Sequence, residues 1–181
     1  MTPLDRLMRW RSEASTTEKL YGAIVAQARL PVFYRSFGIP DTLQGRFTLL
    51  ALHLFAVLHR LKDEGETGRT LAQKLVDRFS QDMETVLREL GVSDLRVPKA
   101  MRRVAAASKG LFQDYETALA AGEASLARAI AASLPGETES EELSSGRLAS
   151  YLLASIEALA RQDIASLRAG GPDFAEASVR P

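Results

Sequence analysis

Apolar residues recur along this chain at intervals of three and four, and the strict alternation of a half-buried strand is almost absent, so the pattern predicts an all-α protein. Tyr21, Ile24, Val25 and Ala28 form the inner stripe of a helix that opens at Ser15, with Glu18 three residues later, and stops before Pro31. Residues 32–37 are expected to add one turn, which Gly38 ends. Pro40 and Asp41 start the next helix, with Asp41 as its N-cap and Gln44 at the capping-box position. Around that helix Leu49, Leu50, Leu52, Leu54, Phe55, Val57, Leu58 and Leu61 cover most of the circumference, which is the pattern of a helix enclosed by neighbours.

After a turn placed at residues 65–68, a regular stripe of Leu71, Leu75, Phe79, Met83, Val86, Leu87 and Leu90 leads to Gly91, a residue suited to a left-handed C-terminal cap. Pro98 opens a helix that runs through Met101, Val104, Leu111, Tyr115 and Leu119 to Gly122, with Gly110 weakening its middle. An Ala-rich helix over 124–134 is stopped by Pro135 and Gly136, an acidic linker covers 137–142, and a last helix spans 144–168. The expected architecture is one compact multi-helix domain with a long antiparallel central helix pair and a flexible C-terminal tail. Its divisions are an amphipathic N-terminal segment at 1–15, a core domain at 16–122, C-terminal helices packed on the core at 123–168, and a disordered tail at 169–181.

Arg46, His53 and Arg60 fall at seven-residue intervals on the apolar helix, and a helix drifts only about 20° per heptad, so the three form a basic line on one face. With the turn at 65–68 and its flanking helices antiparallel, Arg46 comes level with Glu89 and His53 with Asp82, and two ion pairs are expected to clamp the hairpin. The other reading of the same residues leaves Arg46 and Arg60 facing a groove that takes an acidic ligand or partner segment.

Composition narrows the chemistry. The 181 residues carry 23 Lys+Arg against 23 Asp+Glu, which argues against a general nucleic-acid binder, and no cysteine, which removes disulfides, thiolate nucleophiles and cysteine-ligated metals. There is no Gly-rich phosphate loop and no Gly-x-Ser-x-Gly elbow. His53 and His59, six apart, point to different sides of their helix and cannot chelate one metal; haem ligation by a single histidine stays open beside a core role for His53 and a surface role for His59. The apolar run at 47–58 is too short to cross a bilayer, which takes about 20 residues. At the N-terminus, Leu4, Leu7 and Met8 lie opposite Arg6 and Arg9 beside Trp10, a pattern that fits either a membrane-surface or partner-docking helix or a short helix packed on the domain. Arg96, Lys99, Arg102, Arg103 and Lys109 make a basic patch that is either solvated surface or a meeting place for anionic lipid or an acidic partner.

Several motifs in one order, YxxIVAQARxPxFY, FGIPDTLQGRF, LHLFAVLHRL and FSQDMETVLRELGVSD, resemble the ubiquinol-cytochrome c chaperone family, the assembly factors of the cytochrome bc1 complex. The resemblance covers roughly residues 21–119 and gives nothing for the last two helices. The matching positions are Tyr34, Gly38, Pro40, Asp41, Thr42, Gly45, Arg46, Phe47, His53, Leu54, Arg60 and Leu61, then Asp82, Arg88, Glu89, Gly91, Asp94 and Lys99. It implies a protein that is not an enzyme and holds no cofactor, and that binds newly made cytochrome b, with a small partner chaperone and a peripheral membrane contact as further expected partners and no nucleic acid. Partner-binding roles are expected for Tyr34, Arg46, Arg60, Arg88 and Lys99, and structural roles for Asp41, Gly45, His53, Asp82, Glu89 and Gly91. The family pattern begins close to the N-terminus, so the expected location is the cytoplasm of a bacterium, on the cytoplasmic face of the inner membrane. Two alternatives are a haem-handling protein using His53 or His59 and a peripheral membrane adaptor using residues 1–11.

Overall fold

The structure is a computed structural model that describes the backbone of residues 3–134 and 139–178, and the side chains of 15–134 and 142–178. The amphipathic face expected from Leu4, Leu7 and Met8 lies outside the described side chains. The helices are α1 (Pro3–Ala28), α2 (Pro31–Arg35), α3 (Leu43–Leu61), α4 (Gly65–Glu89), α5 (Val97–Ala121), α6 (Glu123–Ala131), α7 (Glu139–Arg161) and α8 (Ile164–Arg168). No strand occurs among the described residues, and no described helix is long and apolar enough to cross a membrane. The all-α expectation holds. Ser15, however, does not start a helix, because α1 runs through it without a break.

α3 is the axis of the fold. Every residue from 48 to 57 is buried, and α1, α4, α5 and α7 pack around it, as its all-round apolar surface requires. The polar groups inside are answered locally. Thr48 donates to Ser133 O at 2.7 Å, while Tyr115 is fully buried and bonds Ser133 Oγ at 3.0 Å, so the end of α6 is tied to α3 and α5. Gln44 also reaches Ser133 O, at 3.0 Å, rather than completing a capping box.

The hairpin between α3 and α4 turns earlier than the glycines imply. Lys62–Glu64 forms a single 3₁₀ turn and α4 already begins at Gly65. Gly68 lies inside the helix, where a Cβ would stand 2.2 Å from Leu61 O, so the absence of a side chain is what lets α4 start this close to α3. This earlier turn changes the register: Phe47 comes opposite Phe79, with ring centroids 6.2 Å apart. α4 ends as expected, with Gly91 at φ 80° and a pair of bonds, Val92 N to Leu87 O and Gly91 N to Arg88 O, that closes a Schellman cap.

α7 runs alongside α3 in the same direction, with Tyr151 level with His53 and Leu159 level with Arg60. The tail has no helix after α8, but residues 171–178 are not loose. Gln162 Oε1 accepts from Asp173 N at 3.0 Å, Ala175 N donates to Ser155 Oγ at 3.2 Å, and Phe174 packs edge-on against His53 with centroids 5.0 Å apart. In this stretch Phe174 supplies the one aromatic ring that packs on the core.

Candidate functional site

The basic line on α3 divides into three different environments, and none of them is the pair of clamps expected with α4. Arg46 bonds Asp41 at 2.6 Å, both side chains largely exposed, rather than Glu89; Glu89 is exposed and has no ion pair among the described residues. His53 is fully buried and bonds neither Asp82 nor any other acid. Its Nδ1 lies 2.7 Å from Leu49 O, which can only accept, so Nδ1 carries the proton and Nε2 accepts from Tyr151 Oη at 2.9 Å. Gln27 Nε2 in turn donates to Tyr151 Oη at 3.0 Å. Burial holds the imidazole neutral, with its pKa pushed down to about 4 against an opposing pull from the Leu49 carbonyl. With both ring nitrogens engaged, His53 has nothing to offer a haem iron.

Arg60 is mostly buried, with its side chain 12% exposed. Its guanidinium bonds Leu159 O at 2.8 Å, Gln162 O at 3.2 Å and Glu64 at 2.5 Å, so it satisfies carbonyls at the C-terminal end of α7 instead of facing a partner. The physical reason for the correction is direction: the heptad face of α3 looks at α7, not at α4. The acid on α4 has a different task. Asp82 accepts from Tyr21 Oη at 3.0 Å and lies 3.7 Å from Arg78, which also pairs with Glu18 at 3.0 Å and sits 4.9 Å over the Tyr21 ring. Burial first, and the Asp82 charge second, push the Tyr21 phenol well up, so this knot of α1 and α4 is a neutral phenol donating to a carboxylate. His59, partly exposed, shares Glu116 with Lys62. Among the described residues no three His, Cys, Asp or Glu side chains gather to hold a metal.

What remains exposed in the FGIPDTLQGRF motif is a small built surface at the α2–α3 elbow. Thr42, not Asp41, is the N-cap of α3, accepting from Gly45 N at 3.1 Å, which frees Asp41 to bond Arg46. Gly45 is buried where a Cβ would fall 2.1 Å from Pro40 O, so only glycine lets the loop close over the helix start. Tyr34, half-buried on α2, stands beside this pair: its phenol is raised by burial and then by the Asp41 charge, and lowered by Arg46 and Arg29. Arg46 in turn holds Asp41 below the usual carboxylate range through their hydrogen bond. Leu30, one turn back along α2 from Tyr34, is 38% exposed and Leu43 is 57% exposed. Neither leucine was a candidate from sequence, although Leu43 stands outside the stripe of apolar positions that α3 buries.

Arg88 and Lys99 are elsewhere, at the α4–α5 connection. Arg88 pairs with Glu84 at 2.9 Å and with Asp94, tying the connector to α4. Lys99 is exposed and lines a shallow depression with Val92, Arg96, Ala100 and Arg103. Thus Tyr34, Asp41 and Arg46 form one surface, Arg88 and Lys99 belong to a second, and Arg60, about 21 Å along α3 from Arg46, to neither.

Comparison with known proteins places this geometry. The model of the family described as "Ubiquinol-cytochrome C chaperone" matches residues 35–174, which includes the α2–α3 elbow from Arg35 onward and extends through α7, α8 and Phe174, beyond the end at residue 119 expected from the motifs. A "Ubiquinol-cytochrome-c reductase complex assembly factor 1" of Xenopus laevis is 23% identical over 112 residues, 62% of this chain and 56% of that one. The Mus musculus protein of the same description is 29% identical over 83 residues, 46% of this chain and 28% of its own. The aligned part is thus about half or less of these relatives. A solved structure, "Crystal structure of the Cbp3 homolog from Brucella abortus", superposes with a TM-score of 0.84 at 34% identity, over 96% of this chain and 97% of that one. The chain belongs to the ubiquinol-cytochrome c chaperone family.

Proposed function

We propose that the protein is an assembly chaperone of the ubiquinol-cytochrome c reductase complex, that its client is newly synthesised cytochrome b, and that the α2–α3 elbow is where the client docks. The observation that carries this is the exposed Asp41–Arg46 pair beside Tyr34, held in place by the Thr42 cap and the close approach at buried Gly45, with the pair and both supports inside the stretch that the family model matches. The flanking Leu30 and Leu43 supply apolar contact, and the ion pair and the phenol supply directional hydrogen bonds, the combination that orients an extended or helical segment on a surface. A peripheral position on the cytoplasmic face of a bacterial inner membrane, a small partner chaperone and the absence of catalysis belong to the same reading. A haem-handling role finds no support at His53, whose nitrogens are both bonded inside the core.

The test is genetic and biochemical together. A deletion strain is expected to lose assembled bc1 complex, and tagged protein is expected to recover cytochrome b from solubilised membranes. An Arg46→Glu and Tyr34→Ala variant that folds normally is expected to lose that recovery. Normal bc1 levels in the deletion strain, or undiminished recovery by the variant, contradicts the reading.

A further inference from the structure

The outer end of the α4–α5 hairpin stands apart from the core. None of the last ten residues of α4 is buried, and Val86, Leu87, Leu90, Met101 and Val104 neither belong to the central cluster nor pack against it. At the very tip Leu90 is 58% exposed and Leu95 is 95% exposed, the most exposed large apolar side chain among the described residues. Directly behind Leu95 come Arg96, Lys99 and Arg103, spaced i, i+3 and i+7, so they share one helix face, and all three line the same depression. Arg102 lies beside them. These four cations are exposed and have no ion pair among the described residues, in a chain whose total charge is zero. Their nearest acid along the connector, Asp94, is already taken by Arg88, which leaves Glu89 as the one exposed, unpaired carboxylate at this end.

We infer that this tip is a membrane-docking element that seats on an anionic lipid surface, with Leu95 and Leu90 entering the headgroup region and Arg96, Lys99, Arg102 and Arg103 meeting lipid phosphates. Charge complementarity selects the occupant. Four exposed cations without ion pairs among the described residues flank two exposed leucines, and this combination of several positive charges with apolar side chains to insert suits a lipid surface of many phosphates better than a single acidic peptide. A leucine standing almost wholly in water at the apex gains from insertion whereas it gains nothing from solution. The inference does not rest on which polypeptide is the client, since it concerns lipid alone.

The experiment is flotation of the full chain with vesicles of phosphatidylcholine alone and with vesicles containing about one-third phosphatidylglycerol. The chain is expected to float with the anionic vesicles only, and less so as salt shortens the reach of the charges. Each basic group near such a surface changes partitioning about fivefold, so the triple variant R96A/K99A/R103A is expected to lose binding on the order of 100-fold, and Leu95→Asp to weaken it further. These side chains make no internal bond, so the variants are expected to melt with the wild type, and Arg69→Ala, an exposed cation of the other end of α4, is expected to float unchanged. Flotation by the triple variant equal to wild type overturns the inference. So does flotation that vanishes when residues 1–11 are removed but ignores the tip, and so does a chain that neglects anionic vesicles while its tip retains polyglutamate.

Discussion

His53 makes the stability of the whole domain depend on pH in a way that can be calculated from its surroundings. The imidazole is fully buried among Phe33, Tyr151 and Phe174, and burial lowers its pKa from 6.5 to about 4. Unfolded chains take up a proton near pH 6.5 and the folded protein does not until about pH 4, so the unfolded state binds more protons in between and stability falls as pH falls through that window. Above the unfolded value the contribution is complete. Between pH about 7.5 and about 4.5 the loss is about 2.5 kcal/mol, at 1.36 kcal/mol per unit, a sizeable part of the roughly 5–15 kcal/mol that holds a domain folded. Urea unfolding of wild type and His53→Gln at both pH values isolates the term, because carboxylates that also titrate there are common to both proteins. Wild type is expected to lose about 2.5 kcal/mol more than the variant. Should the variant be too unstable to measure, proton NMR of the wild type gives the same answer, since the His53 ring is expected to keep its neutral shifts until about pH 4. Parallel stability profiles, or a His53 ring that titrates near neutrality, refute the reasoning.

Two further outcomes follow from the packing. Gly45→Ala places a methyl group 2.1 Å from Pro40 O and is expected to destabilise the fold by roughly 3 kcal/mol, read as a fall in the urea midpoint, whereas Gly110→Ala, where nothing lies within 4 Å, is expected to be neutral or stabilising. Arg60→Ala removes two bonds at the end of α7 and one to Glu64, and is expected to cost about 2 kcal/mol in the same assay while leaving client recovery by the folded protein unchanged; loss of recovery without loss of stability would return Arg60 to the partner-facing set.

The helices were legible because apolar spacing is a local property. α3 and α4 follow from the run around Leu52 and the stripe through Leu75, and Gly91 from its place just past that stripe. The partners were not legible, because they depend on which element covers which face. His53 and Arg60 meet α7, from almost a hundred residues away, while Arg46 on the same heptad line stays exposed beside Asp41, and nothing in the spacing of Asp82 and Glu89 distinguishes α7 from α4 as the neighbour. The hairpin register failed for a related reason. Gly65 and Gly68 read as a turn, but only Gly65, at φ 60°, breaks the chain, while Gly68 lies inside α4 and serves the close approach to Leu61 O. At the elbow, Asp41 and Thr42 are both good caps; which one acts is settled by the reach of Arg46, a tertiary fact. The exposure of Leu43 and Leu95 is invisible to composition, since a leucine at a helix end reads like any other core residue until the neighbours are placed.

The account stands most directly on what touches the α2–α3 elbow while cytochrome b is being made. A photoreactive residue placed at Leu43, which is 57% exposed and next to the Asp41–Arg46 pair, is expected to crosslink to cytochrome b in growing cells, and the same residue at Arg69, on the far end of α4, is not. Cytochrome b crosslinked from Arg69 and never from Leu43 would contradict it.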